Sequence, residues 1–92
     1  MQLKYDDVLF IEGLKDYAVF HTNQGKHTLY KRMKELEEKL PAQFSRVHNS
    51  CIVNREHIVK IEDMHIYIGE SRIPASEKYR EQFFKLVTGK LL

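Results

Sequence analysis

The 92-residue chain has one cysteine, two prolines and four glycines, and no apolar run near the ~20 residues that a membrane-spanning helix needs. Cys51 alone cannot close an internal disulfide, so stability must come from packing. Gly13, Gly25, Gly69 and Gly89 stand isolated, which removes the glycine-rich loop that cradles nucleotide phosphates and leaves them as turn or helix-end residues. No apolar block follows Met1 as in a secretory signal, and a reducing cytoplasm is the expected home.

What is present is an ordinary globular balance of 42% hydrophobic and 30% charged residues. The chain is long enough for one modest core, and residues 1–92 read as a single domain. The net charge of +2 and pI of 8.7 fall short of the basicity, a pI above about 9, that by itself marks a nucleic-acid binder.

Hydrophobic periodicity orders the elements. Residues Val8–Gly13 and Tyr17–Thr22 read as two strands joined at Gly13–Asp16, and NQGK predicts a hairpin loop at Asn23–Lys26 leading into a third strand. Alternation puts Tyr17, Val19 and His21 on one face, and Ala18, Phe20 and Thr22 on the other. In KRMKELEEKLP the period changes: Met33, Leu36 and Leu40 share a helical stripe, and Pro41 closes it. CIVN, EHIVKIE, MHIYIG and SRIPA read as further strands, the last two turning near Gly69–Ser71. A final helix carries Tyr79, Phe83 and Leu86 or Val87 on one stripe, with Ser76 as candidate N-cap. The order βββαββββα, with short connections, predicts antiparallel pairing and excludes a doubly wound nucleotide fold.

The segment Phe44–Asn54, FSRVHNSCIVN, interrupts an apolar run with His48, Asn49 and Ser50. Polar groups in such a place find partners or face solvent, so the interruption marks an edge. A nucleophilic Ser50 activated by His48 lacks both the surrounding G-x-S-x-G pattern and a specified orienting acid. Metal ligation is disfavoured because His48 and Cys51 fall on opposite faces of an extended strand and the remaining histidines have no ligand spacing. Three polar places remain at predicted loop tips: Gly13–Tyr17, Arg46–Ser50 and Ser76–Arg80. Their residue types suit hydrogen bonding to phosphate oxygens, but composition alone favours ordinary turns and caps.

The motifs VLFIEGLKDYAVFHT, KELEEKLPAQFSRVHNSCIVNREHIVKI and SRIPASEKYREQF together resemble the LytTR DNA-binding domain of bacterial response regulators across nearly the whole chain. The central block is the most specific, combining Phe44, Arg46-Val47-His48, Ser50, Val53-Asn54 and Ile58 at the family's separations. The resemblance implies an elongated, mainly antiparallel β fold with two short helices, no catalysis and no cofactor or metal. It implies sequence-specific binding of double-stranded DNA in successive major grooves at repeated sites, as a dimer. It further implies an upstream receiver domain and a histidine kinase in a full-length regulator. The residues it marks for DNA contact are Lys15, Tyr17, Arg46, His48, Asn49, Ser50, Lys78 and Arg80, whereas Asn54 and Asp16 are expected to shape turns.

The chain departs from the family in two places. Asn49 stands where arginine is common, which moves the expected base from guanine toward adenine. Glu77 follows Ser76 where many relatives have a basic residue, shifting the positive charge to Lys78. The low net charge and Glu77 keep open a rival reading as a β-rich protein-interaction or sensory module without DNA binding.

Overall fold

The computed structural model describes residues 3–91, with side chains described through residue 87. Five strands, β1 (Val8–Leu14), β2 (Tyr17–Thr22), β3 (Gly25–Leu29), β4 (Phe44–His48) and β5 (Cys51–Asn54), form an antiparallel sheet in the order β3-β2-β1-β5-β4. A second antiparallel sheet follows, β6 (Lys60–Glu62), β7 (His65–Ile68) and β8 (Ser71–Pro74). Helix α1 (Met33–Lys39) connects β3 to β4, and α2 (Glu77–Leu91) follows β8. The molecule measures 37 × 25 × 21 Å, elongated as the family resemblance implies.

Apart from its exposed edge strand β3, the larger sheet is buried on both faces, which is why its other strands carry apolar residues at successive positions. One face packs Phe10, Val47, Cys51 and Val53 against Ile66, Ile68 and Ile73 of the second sheet and Phe83 of α2. The other packs Val8, Ile11, Ala18, Phe20, Phe44 and Ile52 against Met33 and Leu36 of α1. A register shift between Val8 and Phe10 lets Val8 and Ile11 serve one core while Phe10 serves the other. Each such fully buried side chain contributes ~1.5–3 kcal/mol from apolar burial.

The loops are tighter than the sequence suggests. Lys15-Asp16 and Asn23-Gln24 form two-residue turns, and Thr22 Oγ1 holds the second by accepting from the Gln24 N–H at 3.1 Å and donating to the Gly25 carbonyl at 2.9 Å. The β7–β8 hairpin turns at Gly69-Glu70, as expected.

Two expectations need correction, and one alternative left open is decided. Phe44–His48 is a strand rather than only an edge: Phe44 and Val47 face opposite cores, and the Ser45 hydroxyl accepts from Arg55 Nη1. Residues Arg55–His57 form a 3₁₀ turn where a strand was expected, because the Asn54 side chain accepts from the Glu56 N–H at 3.1 Å and tightens the chain there. On α2, Phe83 and Val87 reach the core, but Leu86 is exposed and Phe84 packs in its stead.

Candidate nucleic-acid interface

β1 ends beside the start of β5, with Glu12 opposite Cys51, and the Gly13 N–H donates to the Ser50 carbonyl at 2.9 Å. This braces the β1–β2 turn against the β4–β5 turn. The Ser76 N–H donates to the Val47 carbonyl at 2.8 Å, which fastens the start of α2 to the end of β4. The turn at Lys15-Asp16, the turn at Asn49-Ser50 and the first turn of α2 therefore share one end of the larger sheet.

Arg46 supports the central turn from behind. Its side chain is 15% exposed, and its guanidinium donates to Glu37 Oε2 of α1 at 2.7 Å, to the Asn49 carbonyl at 2.6 Å and to the His48 carbonyl at 3.3 Å. Charge assistance makes these stronger than neutral hydrogen bonds. A two-residue turn with its carbonyls held in this way cannot swing freely, so the exposed Asn49 and Ser50 project from a fixed backbone.

His48 adds a local lock. The Ser50 N–H donates to His48 Nδ1 at 3.2 Å, and Ser50 Oγ lies 3.1 Å from the same nitrogen. An Nδ1 that accepts from a backbone N–H leaves the neutral ring's proton on Nε2, a donor. The contact has the reach of a Ser–His dyad, but that nitrogen already serves Ser50's own backbone, and no carboxylate bonds the ring among the described residues.

In the outer turns, Lys15 is exposed and holds a left-handed backbone at φ 58°, a conformation that costs a side-chain-bearing residue roughly 1–2 kcal/mol. Tyr17 is half-exposed and stacks edge-on with Tyr30 at 5.2 Å, while Asp16 pairs with Arg32 at 3.7 Å. On α2, Lys78 is exposed, and Arg80 is half-buried with an Nε that has no hydrogen-bond partner among the described residues. Ser76 stands immediately before the helix, as an N-cap would, yet its buried hydroxyl makes no cap bond. Glu77 is exposed at the first helical position, where a carboxylate complements the helix dipole.

All eight sequence-derived contact residues thus belong to these three places, with Arg46 turned inward and the others presented at or beside the tips. Sequence reasoning missed Glu37, which anchors Arg46; Arg72, which lines a cleft of about 450 Å³ beside His48 and Ser50; and the partner of Tyr79, expected only to share a stripe with Phe83. Tyr79 turns toward the β4–β5 turn, where its hydroxyl donates to Asn49 Oδ1 at 3.3 Å. No local pattern signals these contacts, which join residues far apart in the chain. Cys51 lies beneath the turn, and burial, aided by the nearby Glu12 carboxylate, pushes its thiol up to about 12, so it stays protonated and unreactive.

An antiparallel scaffold that gathers polar, partly cationic turns at one end has the build of a nucleic-acid-binding domain. The sequence matches the family described as LytTr DNA-binding domain over residues 1–88, and the chain belongs to that family. Among solved structures it is similar to the LytTr DNA-binding domain of a protein described as a methyl-accepting/DNA response regulator from Bacillus cereus. The two share 26% identity with a TM-score of 0.85, over 95% of this chain and 86% of that one. A comparison with curated proteins gives no match. Among the described residues, no helix is long and apolar enough to cross a membrane.

Proposed function

We propose that this DNA-binding domain is the output module of a cytoplasmic two-component response regulator and reads duplex DNA in the major groove with the braced end of its larger sheet. The supporting observation is the pair of backbone bonds, Gly13 to Ser50 and Ser76 to Val47, that make three polar turns neighbours. A major groove ~12 Å wide admits a β-hairpin. Asn49 reads a base, favouring adenine through its N6 and N7; His48 donates from Nε2, and Ser50 hydrogen-bonds alongside. Lys15, Tyr17, Lys78 and Arg80 contact the phosphate backbone, and Arg46 serves the interface by holding the turn.

Phosphate neutralisation supplies most of the affinity and a few base contacts supply selectivity, so one domain on one half-site binds weakly. Two copies joined as a dimer through upstream receiver domains, under a histidine kinase, gain affinity at repeated sites by effective concentration. The proposal assigns the chain no catalysis and no cofactor. The test is selection of bound duplexes from a random pool at low salt. Recovery of repeated sites with one strongly preferred base under Asn49 is expected. Failure to retain any duplex would favour the protein-interaction reading, to which the low net charge and Glu77 lend support.

A further inference from the structure

Tyr79, itself in the first turn of α2, touches the β4–β5 turn. Its hydroxyl reaches Asn49 Oδ1 at 3.3 Å, and its ring lies 5.4 Å from the Arg46 guanidinium and 5.3 Å from the Lys78 ammonium. One helical turn further on, Phe83 is buried in the core and fixes the helix that carries it. We propose that Tyr79 is a positioning residue for base recognition, restraining the Asn49 amide at the tip so that it meets the base in a fixed place. The inference rests on the reading of Asn49 given above.

The argument begins with the amide itself. Arg46 already holds the Asn49 backbone through its carbonyl, so the freedom that remains at the tip is in the side chain. The terminal torsion of an asparagine is broad and roughly two-fold, and a half-turn exchanges Oδ1 with Nδ2. That exchange reverses the pattern shown to a base: adenine needs an acceptor facing its N6 amino group and a donor facing N7. Asn49 is exposed, and the Tyr79 hydroxyl is its one side-chain hydrogen-bond partner among the described residues.

A carbonyl oxygen has two lone pairs, so Oδ1 bonded to Tyr79 still accepts from a base. A phenol hydroxyl can also accept from an amide N–H, so the tyrosine restrains where the amide head sits, and it does so without consuming the contact to the base. The Arg46 guanidinium, itself fixed by Glu37, lies over the ring and steadies it by cation–π attraction.

The experiment is a double-mutant cycle with Tyr79→Phe, which keeps the ring and its cations and removes only the hydroxyl, and Asn49→Ala. Binding is measured on duplexes differing at the single base pair under Asn49, over a range of salt. Tyr79→Phe is expected to lower discrimination at that base pair about two- to tenfold, the worth of one hydrogen bond, while leaving nonspecific affinity and the salt slope unchanged. In an Asn49→Ala background the same substitution is expected to change nothing. A uniform loss on all duplexes, or effects that simply add, would overturn the proposal.

If Asn49→Ala erases the base preference and Tyr79→Phe spares it, only the role of Tyr79 falls. If Asn49→Ala itself leaves the preference intact, the reading of Asn49 falls and takes this role with it. In the free protein, Tyr79→Phe is also expected to shift the NMR signals of the Asn49 side-chain amide; unmoved signals refute the coupling without any DNA.

Discussion

Asn49 and Asn54 stand on the same hairpin, one at its turn and one at the far end of β5, and their surroundings could hardly differ more. Asn54 is fully buried and uses its whole hydrogen-bonding capacity: Nδ2 donates to the Val8 carbonyl at 2.9 Å and the Tyr5 carbonyl at 3.3 Å, while Oδ1 accepts from the Glu56 N–H at 3.1 Å and Gln43 Nε2 at 3.3 Å. Asn49 is exposed and keeps most of its capacity open. The same amide thus closes the fold at one end and is offered outward at the other. A polar residue with every bond satisfied stabilises; one held in place but left unsatisfied is available for recognition.

The contrast can be broken most severely at the layer that both ends depend on. Phe83→Ala empties a buried aromatic site between α2 and both sheets, and is expected to destabilise the domain by about 3–5 kcal/mol. Urea denaturation measures that loss, and DNA binding is expected to disappear with it because the helix carrying Lys78 and Arg80 loses its anchor.

Next in size is the closed asparagine. Asn54→Ala strands buried carbonyls and an N–H, and is expected to cost about 2–3 kcal/mol in the same measurement. The base preference of the protein that remains folded is expected to be unchanged.

The open asparagine is expected to show the reverse behaviour. Asn49→Ala should shift stability by no more than about 0.5 kcal/mol, as surface changes usually do. It should also reduce discrimination by about 1–3 kcal/mol at one base pair, read from binding to singly substituted duplexes. Loss of stability without loss of preference would erase the distinction between the two residues.

The smallest effect is expected at Lys78. Lys78→Ala should weaken binding to all duplexes alike and reduce the slope of log affinity against log salt by about 0.9, the share of one phosphate contact. A sequence-dependent loss would instead place Lys78 on a base edge.

Much of the scaffold was legible in the sequence because it follows local rules. Alternation in Tyr17–Thr22, the Gly69-Glu70 turn and the Met33–Leu36 stripe are each decided by a few neighbouring residues. The structure bears out the antiparallel β fold and the two helices. β4 was harder to see because Ser45, Arg46 and His48 break its apolar pattern, and their partners, Arg55, Glu37 and Ser50, had to be in place before those polar side chains made sense within a strand.

The same limit applies to the candidate interface. The eight residues could be named from the motifs, but the inward turn of Arg46 depends on Glu37 of α1. The orientation of Tyr79 depends on where Phe83 seats α2. Such couplings are tertiary, and no periodicity or motif along the chain announces them.

β5 supplies Cys51 and Val53 to one core and Ile52 to the other, so the strand that follows the turn proposed to read DNA is also the spine of the whole domain. Its interior is committed, yet the two residues just before it contribute nothing to either core. Under the reading proposed for that turn, the letters at positions 49 and 50 can change while the architecture stays as it is, and a lineage of such domains can move to new DNA sites without learning to fold again.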